Sequence, residues 1–207
     1  MQTHEPLLQA SLASLAPTQI TVGRVEVASK RQEWVGLRRK ERERALGDHW
    51  FPAVKGPKDR HYIVDHHHLG LALREEGVKT VWLLQLADLS AVDGETFWRT
   101  MEFHRWAHPF DRSGRRRPYG EIPSKIDDLQ DDPYRSLAGV VRGAGGYAKD
   151  AEPYAEFLWA DFFRERVDRA ALRPSGKGTL SGTVVTRAVA MAHGDAARYL
   201  PGWSGAA

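Results

Sequence analysis

The segment from Phe51 to Asp88, FPAVKGPKDRHYIVDHHHLGLALREEGVKTVWLLQLAD, changes its apolar period twice, and few folds accept that. WFPAV reads as a short strand. RHYIVD alternates and is β-branched, which makes it another. In HHHLGLALREEG the apolar residues Leu69, Ala72 and Leu73 have helical spacing, and Gly77 supplies a stop. VKTVWLLQLADL then reads as a buried strand. Strand, helix and strand within about thirty residues describe a βαβ-like unit, so a sheet faced by a helix is expected.

The remaining segments are mostly helical in pattern. EWVGLRRKERERAL predicts one helix before the strands. After them, DGETFWRTMEFHRWAH opens on a capping-type Asp93 and stops at Pro109. Residues 109–133 form a long polar stretch with four prolines, a loop of the length usually tied to function or mobility. DDPYRSLAGVVRGAGG begins with Asp132 as an N-cap and Pro133 at the first helical position. EPYAEFLWADFFRERV and GTVVTRAVAMAHGDAARYLPG predict two further helices, with Trp159 in the core. The expectation is an α+β fold, with residues 1–90 as the α+β domain and residues 91–207 as a mainly helical portion packed on it.

A chain of 207 residues can bury a sizeable core. It has no cysteine, which excludes disulfides, thiolate chemistry and cysteine-ligated zinc. No apolar run approaches the roughly 18 residues that cross a bilayer. The N-terminus has no basic region and carries Glu5 and Pro6 early, a poor signal peptide, so a cytoplasmic protein is expected.

The net charge of +3 permits nucleic-acid binding without requiring it. RRKERER interleaves acids and bases at helical spacing and reads as a solvated face. RSGRRRP contains no acid and lies in a loop, which makes Arg112, Arg115, Arg116 and Arg117 the expected contacts for weak, salt-sensitive, non-specific DNA binding.

Three histidines behind an aspartate, DHHH at 65–68, are the least ordinary motif. Asp65 is expected to cap the following helix by accepting from the amides of residues 67 and 68. The same helix start is a ready anion site, to which histidines add donors. Against a metal site, successive helical residues point about 100° apart, so one metal does not take all three rings. No HExxH-like spacing occurs either. Ordinary structural histidines remain the third reading.

VDHHHLGLAL, between the FPAV and VKTVWLLQLAD strands, resembles the nucleotide-site motif of the ParB/sulfiredoxin superfamily. PTQITVGRVEVASK, DDPYRSLAGVVR, EFLWADFFR and LPG extend the resemblance to the subgroup called ParB-like nucleases, over most of the chain. The resemblance implies a ParB/sulfiredoxin-like fold and phosphate chemistry. A nucleotide (ATP, ADP or CTP) with Mg would be the cofactor, and a nucleotide or phosphorylated small molecule the partner.

By the resemblance, Asp65 matches the motif's aspartate, and His67 and His68 its polar pair. His66 stands where many relatives have glycine, and Leu69 where they have the phosphate-gripping arginine. Glu26 matches an acid that serves related small-molecule kinases as general base. Glu26, Asp65, His67 and His68 are thus the catalytic candidates. Gln19, Lys30, His66, Arg135 and Ser136 are the binding candidates, and no metal ligand is assigned. Arg135, in the first turn of its helix, opposes the macrodipole, so a partner is expected in Asp131, Asp132 or an anion.

The alternatives are a nucleotide- or DNA-binding module without turnover, and a histidine-metal enzyme on a non-phosphate substrate. Sulfiredoxin chemistry is excluded because there is no cysteine to attack.

Overall fold

The computed structural model describes residues 7–175 and 178–205. Glu5 and Pro6 therefore lie outside the described residues. The chain forms two compact units. The first comprises the chain up to Ile20, Ser29–Phe110 and Arg116–Gln130. The second comprises Thr21–Ala28, Asp111–Arg115 and the chain from Asp131 on.

The first unit is built on a mixed four-stranded sheet. Its strands are β1 (Leu8–Ser11), β3 (Phe51–Gly56), β4 (Arg60–Ile63) and β5 (Thr80–Asp88), in the order β1-β5-β3-β4. A short β2 (Thr21–Val22) belongs to the second unit. β1 runs antiparallel to β5, with Leu8 opposite Leu83, and β3 runs parallel to β5, with Phe51 opposite the same Leu83. β4 is antiparallel to β3, pairing Ile63 with Ala53. Phe51, Ala53, Ile63 and Leu83 are fully buried, which is why the register is fixed here.

This corrects the βαβ-like expectation. The strands on either side of the DHHH helix are not neighbours; the parallel pair is β3 and β5, and β4 sits at the sheet edge.

The DHHH helix, α3, spans His67–Glu75 and buries Leu71, Ala72 and Leu73. Gly77 turns the chain out of it at φ +73°, as the sequence predicts. The expected helix before β3 is two: α1 (Arg24–Gly36) and α2 (Arg39–Asp48). Arg38, between them, is extended and starts α2 through a capping box with Glu41. α4 (Gly94–Phe103) is capped by Asp93 as expected, with Oδ1 accepting from the amides of Glu95 at 2.9 Å and Thr96 at 3.0 Å. It ends six residues before Pro109, because Arg105 turns left-handed at φ +56°. A satellite core of Val54, Phe97, Met101 and Ala107 lies under it.

The second unit is helical. β6 (Gln130–Asp131) carries the chain into it. There α5 (Pro133–Gly143), α6 (Ala155–Arg164) and α7 (Gly182–His193) follow, close to the expected spans. Leu137, Val141, Trp159, Phe163 and Ala188 fill its core, and Trp159 stacks on Tyr147 at 4.1 Å. Trp159 also donates to the Pro201 carbonyl at 2.8 Å, so the LPG turn is held by the core.

Candidate functional site

The strand-to-helix turn at 65–68 is tighter than a simple N-cap. His66 adopts the left-handed conformation, φ +63°, and is the residue immediately before α3. The conformation costs a non-glycine residue about 1 kcal/mol. The expected cap is corrected: Asp65 Oδ1 accepts from the His66 amide at 2.6 Å, one residue before the helix, and the His66 side chain at the N-cap position makes no cap hydrogen bond. Asp65 is exposed. The His66 ring is half-buried, edge-on to Phe51 at 5.8 Å.

His67 and His68 point inward and are 5% and 9% exposed. His67 Nε2 accepts from the Thr18 amide at 3.1 Å, which makes the imidazole neutral with its proton on Nδ1. Thr18 Oγ1 in turn donates to the Ile63 carbonyl at 2.9 Å. The ring thus pins the segment before α1 to the end of β4. Gln19, the next residue, is buried beside this anchor and bridges to His108 by backbone. Lys30 lies one helical turn after Glu26 on α1, confirming the helical spacing. Gln19, Lys30, Asp65, His66, His67 and His68 belong to the first unit, whereas Glu26, Arg135 and Ser136 belong to the second.

The start of α5 in the second unit is closed by its own side chains. Asp132, 1% exposed, caps Tyr134 at 3.0 Å and pairs with Arg164 at 2.6 Å. Burial pushes its carboxyl above the ordinary range, and the Arg164 guanidinium pulls it back. Arg164 also pairs with Asp161, whose carboxyl burial likewise raises.

Arg135 acts on one expected partner, Asp132, whose carboxyl it pulls down, and has further partners in the second unit. Its guanidinium donates to the Thr21 carbonyl, stands 4.0 Å from Glu156 and covers the Phe157 ring at 3.9 Å. Sequence reasoning missed this because Phe157 and Glu156 lie a full helix further along the chain.

Ser136 opens onto a cleft of about 390 Å³ lined by Arg24, Val25, Asp131, Pro133, Arg169, Leu172, Arg173 and their neighbours, all in the second unit. At its floor, Ser136 Oγ accepts from the Val25 amide at 3.2 Å, and Asp131 accepts from the Arg24 amide at 3.1 Å. This close approach requires Gly23: a Cβ there would sit 2.7 Å from the Ser136 nitrogen. Arg169 and Arg173 were not singled out from sequence, although their spacing of four just before Pro174 was a usable signal.

The basic loop is less available than its composition implied. Arg116 pairs with Glu102 at 2.8 Å, and Arg117 with Glu121 at 2.8 Å. Tyr119 donates to the same Glu102. The hydrogen bond from Arg116, more than any other contact, holds the Glu102 carboxyl below the ordinary range. Among the described residues, no cluster of three or more His, Asp or Glu could hold a metal ion. No helix among them is long and apolar enough to cross a membrane.

The mix of sheet and helices agrees with the α+β fold that the resemblance implied. The sequence matches the family described as "Putative ParB-like nuclease" over residues 8–165. It is also similar to a solved structure, protein Atu1540 from Agrobacterium tumefaciens. The two are 44% identical, with a TM-score of 0.87, over 98% of this chain and 100% of that one. Among curated proteins, none matches. The chain belongs to the ParB-like nuclease family.

Proposed function

We propose that the chain binds the phosphate of a nucleotide or phosphorylated small molecule at the turn from Asp65 to His68, and acts on a phosphate ester there. One observation carries this. Asp93 and Asp132 cap their own helices, whereas α3 follows the left-handed His66, whose side chain makes no cap hydrogen bond; α6 starts likewise after Tyr154, but only the α3 start carries the DHHH motif. A helix start of this kind suits a phosphate, which takes hydrogen bonds from first-turn amides and gains from the helix dipole. In this reading the first-turn amides and the His66 ring meet the phosphate. His67, through Thr18, and the buried His68 fix the turn. The exposed Asp65 acts as general base, or as the carboxylate that with phosphate oxygens holds Mg²⁺. Mg²⁺ when bound would neutralise charge on the transferring oxygens.

The test is a thermal-shift titration with ATP, ADP, CTP and phosphorylated metabolites, with and without Mg²⁺, followed by ³¹P NMR of any stabilising ligand. Saturable stabilisation is expected, about 2.7 kcal/mol at a hundredfold excess over Kd. Leu69→Arg, which restores the arginine of relatives, should tighten binding. If neither the parent nor Leu69→Arg is stabilised by any of these ligands, the proposal fails. Binding without product would instead support the non-catalytic module.

A further inference from the structure

The cleft of the second unit carries its own charge pattern. Three arginines, Arg24, Arg169 and Arg173, line it against one aspartate, Asp131, which leaves a net charge of +2. Arg142, Arg164 and Arg166 of the same unit each pair with a carboxylate. Arg169 and Arg173 make no ion pair among the described residues, and both are exposed. Two unpaired guanidiniums facing one concavity repel each other in the absence of a counter-charge.

The remaining lining is of two kinds. Ser136 Oγ accepts from Val25, so its hydroxyl hydrogen can be donated into the cleft. Val25, Pro133, Leu172 and Pro174 supply an apolar wall. A space of about 390 Å³ lies within the size range of small-molecule sites, roughly 300–1,000 Å³.

We propose that this cleft binds a small organic phosphomonoester of about mononucleotide size. A phosphomonoester carries a charge of about −1.5 to −2 near neutral pH, which matches the excess of the lining. Guanidinium forks suit its oxygens, and the apolar wall suits the body attached to them. Nothing in this inference depends on the turn at Asp65.

The experiment is calorimetric titration of the full chain with AMP, adenosine and inorganic phosphate. Saturable AMP binding is expected. Adenosine, lacking the phosphate, should not bind, and inorganic phosphate should bind more weakly than AMP. The double variant Arg169→Ala/Arg173→Ala should lose at least tenfold in AMP affinity at the cleft, while Asp65→Ala, whatever it does at the α3 turn, should leave the affinity of that cleft site unchanged. Both arginines are exposed, so the double variant should fold, which far-ultraviolet circular dichroism checks. Parent-like AMP binding by the double variant overturns the inference. So does the absence of saturable binding to the parent up to about 10 mM. Loss of AMP binding in Asp65→Ala alone would assign the ligand to the α3 turn and refute the cleft.

Discussion

Asp65 and Asp132 both stand just before a helix, and the fold uses them in opposite ways. Asp132 is 1% exposed, caps α5 and is clasped by Arg164. Asp65 is exposed and turns back to the His66 amide instead of capping α3. The α5 start is committed to stability, since an isolated buried carboxylate would be costly without its guanidinium. Asp65 gives no such stabilisation to α3, and in the proposed reading this is where the phosphate binds. Their sequence signatures, Asp-Asp-Pro and Asp-His-His-His, do not announce this difference.

The largest effect expected from this contrast is on stability. Asp132→Ala removes a cap and leaves Arg164 deprived of one of its two carboxylates, and should cost about 3 kcal/mol or more in urea unfolding. A cost below about 1 kcal/mol would erase the distinction between the two helix starts.

The pH dependence of the same site sharpens it. Because burial raises the Asp132 carboxyl, the native state holds its proton more tightly than the unfolded chain does. The stability contributed by this group therefore rises as pH falls through the folded value toward the unfolded one, near 3.9. The stability difference between the parent and Asp132→Asn should widen over that descent. Glu102 should behave in the opposite sense. Its hydrogen bond from Arg116 lowers its carboxyl, so its contribution is present above the unfolded value, near 4.3, and lost below it. The advantage of the parent over Glu102→Gln should shrink in acid. Parallel curves for either pair would contradict the assigned cause.

Asp65→Ala should cost only about 1 kcal/mol, the worth of one hydrogen bond to a charged acceptor, while abolishing turnover. Equal activity with any stabilising phosphate ester would break the contrast from the other side. His66→Gly should have the smallest effect, under about 1 kcal/mol, because relief of the left-handed backbone is offset by the greater freedom of glycine when unfolded.

Much of the fold could be read from short-range signals. α5 was legible because Asp132 and Pro133 specify a helix start locally, and α4 because Asp93 does. β1 was not, since LQAS is a four-residue edge strand whose only claim to that structure is pairing with β5 some seventy residues later. The break between α1 and α2 was hidden because arginine and glutamate favour helix on both sides of it. At the candidate site, the motif located the turn, but the direction of the Asp65 carboxylate depends on the left-handed His66. The inward setting of His67 depends on Thr18, and neither dependence has a local signature. Arg135 drew attention by standing against its own helix dipole, and that conflict was real, although it is resolved by Thr21 and Phe157.

The division of the chain also has a consequence for its birth on the ribosome. The first unit takes its pieces from before Ile20, from Ser29–Phe110 and from Arg116–Gln130. Its edge strand β1 is made early and waits for β5, and Ile20 waits for the amide of Gln130. At about 5–20 residues per second, that wait lasts on the order of 10 s. During it, Ile20 and the buried residues of β3 have no complete partner, so the nascent chain exposes apolar surface. A circular permutant that opens the chain between the pieces should shorten that exposure.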